Sequence, residues 1–178
     1  HMGYVLMGIA TLEAFGLAGS VLQMFSHGVM TALFFAAVGV IYDRAHLRDI
    51  TALEGLSQRM RVTAAVFVVA GLTSLGLPGL SGFVAEVLVF VGTFRTYPVA
   101  GVLAVVAAAI TAVYILRLVV KVFFGPLDRR WEHLGDASRP EAIGAAVLVA
   151  LLVLVGVFPR PFLDVINSGL APLLRVGG

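Results

Sequence analysis

Apolar residues run along this chain in long blocks, each closed by a short polar or charged segment. A membrane-spanning helix needs about 20 predominantly apolar residues, whereas a spanning strand needs about ten in strict alternation. The blocks are helical by that measure. Residues 1–12 supply too few and are expected to be the end of a truncated span. A second span covers 15–42, interrupted by Gln23, Ser26 and His27, and a charged segment from Asp43 to Arg61 follows. Residues 62–94 form a third block, residues 99–124 a fourth and residues 140–158 a fifth, the last two separated by a polar loop at 125–139. In the tail, 159–178, Phe162, Leu163, Ile166, Leu170 and Leu174 recur at helical spacing, while Gly169 and Pro172 argue against a long helix. That tail is expected to lie in the membrane interface. The expectation is one all-α integral membrane domain, 1–178, with about five transmembrane helices, one of them broken.

The break is predicted inside the third block. As one helix, Val62 to Phe94 would run roughly 50 Å against a hydrocarbon core of about 30 Å. The run Gly76-Leu77-Pro78-Gly79 interrupts it, because Pro lacks a backbone N–H and Gly admits left-handed backbone. Two half-helices joined by an irregular turn are expected. Irregular backbone at membrane depth survives only against protein or a water-filled cavity. The start of the fifth block is signalled differently: Ser138-Arg139-Pro140-Glu141 combines a possible capping box with Pro in the first turn.

Composition agrees with the pattern. Apolar residues make up 60% of the chain and charged residues only 12%, about half the usual soluble share. The absence of cysteine excludes disulfides, thiolate metal sites and iron–sulfur ligation. A net charge of +2 with dispersed basic residues gives no footprint for nucleic acid. Their distribution along the chain does carry information. Nine of the twelve basic residues fall at Arg44, Arg48, Arg59, Arg61, Arg117, Lys121, Arg129, Arg130 and Arg139, leaving Arg95, Arg160 and Arg175 for the other side. The positive-inside rule then puts loops 43–61 and 125–139 in the cytoplasm and the C-terminus on the outer side of a multi-pass inner (cell) membrane protein.

Glu86 is the one ionisable side chain between Val62 and Phe94. A charge deep in a bilayer costs roughly 2.5–3.5 kcal/mol on insertion scales, so such a residue reads as an ion or proton site. The competing reading is a carboxylate buried to bond a neighbouring helix. His27 sits near the middle of the second span, with Gln23 and Thr31 on the same helical face. An imidazole with an unperturbed pKa of about 6.5 suits a proton relay, and packing is the alternative. His1 is either a native residue at the end of the first span or an expression remnant. Gly101, Ala104, Ala108 and Ala112 put small residues on one face of the fourth span, where another helix can approach closely. Nothing suggests a cofactor: no phosphate-cradling glycine loop, metal-ligand cluster or nucleophile–base arrangement is visible.

Several stretches in one register resemble the antiporter-like membrane subunits of proton-pumping NADH:quinone oxidoreductase, respiratory complex I. They are His1-Met2-Gly3-Tyr4-Val5-Leu6, Ser26-His27-Gly28 through Tyr42-Asp43-Arg44-Ala45-His46-Leu47-Arg48-Asp49-Ile50, Gly76 to Gly79 through Ser81-Gly82-Phe83-Val84-Ala85-Glu86, and Phe123-Phe124-Gly125-Pro126. Glutamate at the broken-helix position is similar to the subunit M (subunit 4) type, where sister subunits and cation/proton antiporters usually carry lysine. The resemblance implies the C-terminal part of an inverted-repeat helix bundle. It implies that Glu86 is the terminal protonatable group of a half-channel, that His27 and a native His1 belong to a central hydrophilic axis, and that Gly76, Pro78 and Gly79 are the helix break. It further implies no cofactor in this chain and no redox chemistry of its own. The implied partners are the other membrane subunits of the complex, lipid, protons and internal water. A full subunit of this kind has about fourteen spans, so the chain is expected to be a fragment or the product of a split gene, unable to pump alone. A cation/proton antiporter or hydrogenase-linked subunit of the same fold is the alternative reading.

Overall fold

Seven α-helices and two short 3-10 turns make up the described residues, 1–176, of the computed structural model, with no strand among them. In chain order the helices are α1 (Met2–Ala10), α2 (Ala14–Ala45), α3 (Arg61–Ser74), α4 (Ser81–Thr96), α5 (Pro98–Phe123), α6 (Arg139–Val157) and α7 (Arg160–Val176). Gly177 and Gly178 of the expected tail lie outside the described residues, as do the side chains of Arg175 and Val176. α2, α5 and α6 are each long and apolar enough to cross a membrane. α3 has 14 residues and α4 has 16, so each is shorter than the hydrocarbon core by rise alone, and the two cross only in series.

The turn between α3 and α4 is built from the residues that interrupt the apolar block. Gly76 is left-handed at φ +65°, which closes α3 in a Schellman motif. The Leu77 N–H donates to Leu72 O at 3.0 Å and the Gly76 N–H to Thr73 O at 3.1 Å. Gly79 is also left-handed, at φ +95°. The backbone of Gly79 and Leu80 then rests against Gly156 of α6, where a side chain would have no room.

α2 is the central helix, in contact with α1, α3, α4, α6 and α7. Its N-terminus is capped by Glu13, whose Oε2 accepts from the Phe15 N–H at 3.1 Å and the Gly16 N–H at 3.3 Å. The other carboxylate oxygen pairs with Arg95 at the end of α4, at 3.2 Å. Between these ends α2 and α4 touch backbone to backbone. A β-carbon at Gly19 would stand 2.6 Å from the Val89 nitrogen, and one at Gly92 would stand 2.5 Å from the Gly16 nitrogen. Glycine at both positions is what brings the polar face of α2 onto the broken helix.

At the opposite end the two charged loops pack on each other. Trp131 Nε1 donates to Ala52 O at 2.9 Å and Gln58 Nε2 to Gly125 O at 3.1 Å. Lys121 pairs with Glu54 at 3.3 Å. Arg44 reaches across to Glu141 at 2.7 Å, and the Ser138 N–H donates to the same Glu141 oxygen at 2.6 Å, one half of a capping box. Asp136 caps α3 from outside: its carboxylate accepts the Val62 N–H at 2.7 Å, the Thr63 N–H at 3.1 Å and the Thr63 hydroxyl at 2.9 Å. Burial pushes the Asp136 carboxyl up, but the hydrogen bonds from Val62, Ala137 and Thr63 outweigh it and hold the group below the ordinary aspartate range.

Two expected boundaries shift. α2 continues past Tyr42 to Ala45, because helicity there does not require apolar residues; it stops where His46 turns left-handed at φ 53°. The tail is a continuous helix through Gly169 and Pro172, contrary to the expectation from those two residues. Its apolar stripe explains the difference. Phe162, Leu163 and Ile166 pack on Leu22 of α2, Ala85 of α4 and Val155 of α6, and that burial outweighs one missing hydrogen bond.

Candidate functional site

Glu86 lies in the second turn of α4, beyond the break as seen from the charged loops, and is 6% exposed. Gly76 stands directly beside its carboxylate, where a β-carbon would come to 2.5 Å from Oε2. The left-handed glycine that ends α3 therefore also makes the space the acid occupies. Pro78 and Gly79 lie further round the turn, and a β-carbon at Gly79 would meet nothing within 4 Å.

His1 stands between Glu86 and the central helix. Its Nδ1 is 3.5 Å from Glu86 Oε1, in ion-pair range rather than at short hydrogen-bond distance. Its Nε2 is 2.8 Å from Ser74 Oγ, at the last residue of α3. Gln23 Nε2 of α2 reaches Nδ1 at 3.2 Å. Tyr4, one turn further along α1, stands T-shaped to the imidazole with ring centroids 5.9 Å apart and anchors itself by donating its hydroxyl to Ala104 O of α5 at 3.3 Å. The small-residue face of α5 is what receives it, through Ala104 and Ala108.

His27 completes the row. Its ring centroid is 5.5 Å from that of His1, and its Nε2 is 3.5 Å from Thr31 Oγ1. Its Nδ1 is buried with no hydrogen-bond partner among the described residues, and so is Gln23 Oε1. Beside them Ser26 and Ser81 share a hydrogen bond at 2.7 Å, tying α2 to the first residue of α4. The three ionisable groups singled out in the sequence thus meet in the order His27, His1, Glu86, at the break in α3–α4. Ser74 was not distinguishable from the rest of the break in the sequence. Gln23 carried a signal in lying one turn before His27. Among the described residues no group of three or more His, Cys, Asp or Glu could hold a metal ion.

Such a row can pass a proton. Each imidazole can take up a second proton as an imidazolium and give it up again, and a buried carboxylate at the end can receive it. It offers no nucleophile–base pair and no phosphate cradle.

Residues 1–111 match the family model described as NADH:quinone oxidoreductase/Mrp antiporter, TM. Along its length the chain is similar to NADH-quinone oxidoreductase subunit M of Rickettsia conorii, 37% identical over 98% of this chain and 36% of that protein. It is similar to subunit M of Mycobacterium tuberculosis, 38% identical over 94% of this chain and 30% of that one. NAD(P)H-quinone oxidoreductase chain 4 of Prochlorococcus marinus is 37% identical over 98% of this chain and 33% of that protein. The chain thus spans about a third of the length of these curated relatives. In structure it is similar to a chain of respiratory complex I from Thermus thermophilus, with a TM-score of 0.87 and 31% identity over 98% of this chain and 37% of that one. The Mrp complex from Dietzia sp. gives a TM-score of 0.87 at 20% identity over 97% of this chain and 40% of that one, a likeness of fold.

Proposed function

Because the chain belongs to the transmembrane family of NADH:quinone oxidoreductases and Mrp antiporters, we propose that it is the C-terminal part of an antiporter-like, subunit M-type protein that moves protons across the membrane. His27 and His1 form the relay, and Glu86 is the group from which the proton leaves on the outer side. The observation that carries this reading is the position of His1, with its ring 5.5 Å from that of His27 and its Nδ1 3.5 Å from Glu86 Oε1.

The proton's route follows from the chemistry of each group. A proton on His27 passes to His1 when the rings approach, a distance one water can bridge. His1 holds it as an imidazolium beside the Glu86 carboxylate. Transfer to Oε1 then neutralises both partners, which suits a buried carboxylate, here 6% exposed. Release from Glu86 requires access toward the Glu13–Arg95 end of the bundle. Loops 43–61 and 125–139 would face the cytoplasm and the C-terminus the opposite side of an inner membrane. Electron transfer would occur in other subunits of the complex and reach this chain as an electrostatic or conformational signal.

Replacing Glu86 with glutamine in the whole membrane complex tests the reading. Proton translocation in vesicles should collapse while uncoupled NADH oxidation continues; unchanged pumping would sink the relay. The matching family also contains Mrp antiporters, so a cation/proton antiporter is the second reading. Sodium-dependent proton movement without NADH would favour it.

A further inference from the structure

Gln23 is 2% exposed, and its two polar ends are used unequally. Nε2 reaches His1 Nδ1 at 3.2 Å, while Oε1 is buried with no hydrogen-bond partner among the described residues. A buried carbonyl oxygen left without a donor is uncommon. The oxygen and nitrogen of a carboxamide are close in size, so a half-turn about the last side-chain bond exchanges them within the same space. Toward His1 the two orientations are opposites: one donates a hydrogen bond and the other accepts one.

The other nitrogen of His1 is indifferent to this choice. Its Nε2–H can donate to Ser74 Oγ, at 2.8 Å, whether or not Nδ1 carries a proton. Among the described residues, the polar contacts of Nδ1 are Gln23 Nε2 at 3.2 Å and Glu86 Oε1 at 3.5 Å. When Nδ1 is protonated, the Nε2 end of Gln23 would set donor against donor. When Nδ1 is bare, the Oε1 end would set acceptor against acceptor.

We propose that Gln23 is a positioning residue that turns with the proton on His1. It accepts from Nδ1–H through Oε1 while His1 is an imidazolium, and it rotates to donate Nε2–H to the bare Nδ1 once that proton has passed to Glu86. In the transfer the N–H bond at Nδ1 breaks and an O–H bond forms at Glu86 Oε1. An imidazolium–carboxylate pair becomes a neutral pair, and nothing is oxidised or reduced. Afterwards the amide N–H occupies the lone pair through which the proton would return, so back-transfer requires the amide to rotate first. This inference rests on the proton-relay reading above.

The ionisable groups gathered around His1 come from α1, α2 and α4. α4 contributes Glu86, α1 contributes Tyr4 and α2 contributes His27. α3 and α6 carry ionisable side chains only toward their loop ends, at Arg61, Arg139 and Glu141. α5 carries Tyr114, Arg117 and Lys121, and the Arg160 and Asp164 side chains of α7 are exposed.

The test uses the whole membrane complex in vesicles. Gln23→Met keeps length and burial but removes both polar ends; Gln23→Asn keeps both on a shorter stem. Gln23→Met should leave uncoupled NADH oxidation unchanged, lower the protons moved per NADH by roughly three- to tenfold against an opposing gradient, and displace the pH profile of that ratio. Gln23→Asn should restore part of the profile. A Gln23→Met complex that matches wild type in ratio and pH profile, while Glu86→Gln abolishes pumping, overturns the switch and leaves the relay standing. Unchanged pumping in Glu86→Gln removes the relay itself. If Gln23→Met fails to assemble, infrared difference spectra of the wild-type complex with side-chain 15N-labelled glutamine decide. A carboxamide band that moves with the histidine titration and is lost in Gln23→Asn supports the switch; a static band overturns it.

Discussion

Gly76 and Glu86 occupy one piece of space: a β-carbon on Gly76 would stand 2.5 Å from Glu86 Oε2, and the glycine is left-handed at φ +65°. The residue that breaks the helix and the residue that ends the proton row are therefore coupled. Any side chain at Gly76 displaces the carboxylate.

Gly76→Ala should accordingly do two things. The left-handed backbone costs roughly 1–2 kcal/mol for a residue with a β-carbon, seen as a lower melting temperature of the complex. The new methyl also pushes the carboxylate away from His1, so protons moved per NADH should fall more than stability does. Paired measurements of melting temperature and pumping ratio check both. A loss of stability with an unaltered ratio would contradict the shared space.

Ser74→Ala removes the partner of His1 Nε2. The lost hydrogen bond is worth about 0.5–1.5 kcal/mol, enough to slow pumping a few-fold without abolishing it. In a His1→Gln background the same substitution should have no further effect on pumping. A double-mutant cycle reads that coupling directly, and additive losses would show that Ser74 acts elsewhere.

Gly92→Ala places a methyl against the backbone of Gly16, where α2 and α4 meet. The helices must separate, at a cost of about 1–3 kcal/mol typical of overpacking. Thermal unfolding and assembly yield measure it. At Gly144 an added β-carbon would meet nothing within 4 Å, so alanine there should be accepted without loss and serves as the control.

The Asp136 cap makes the loop end acid-sensitive. Its folded pKa lies below the ordinary aspartate value of 3.8. For a depressed carboxyl, the stabilisation is complete above the unfolded pKa and is lost as pH falls through the lower folded one. Protection of the Val62 and Thr63 amides against hydrogen exchange should therefore persist at neutral pH and disappear in acid. Asp136→Asn should weaken that protection at neutral pH and flatten its acid dependence.

Much of this architecture could be read along the chain because a bilayer imposes simple rules. Apolar length announces a crossing helix, and Gly76, Pro78 and Gly79 announce where the third block cannot continue. Glu86 stood out because a charge there is costly, and His27 because few polar residues interrupt α2. The boundaries at Ala45 and through Pro172 were less legible, since helix ends and a proline-containing helix depend on what packs against them. Ser74 had no signal of its own, because its hydroxyl acquires a role only by facing His1.

Sequence alone determined the helical membrane class, the location of the break and the identity of the ionisable groups, because these follow from local burial cost and backbone chemistry. Tertiary structure decided that His1 stands between His27 and Glu86, and that Gly76 clears the space for the acid. Distances between side chains on α1, α2 and α4 depend on how closely those helices approach, and Gly16, Gly19 and Gly92 set that approach only when both surfaces are present.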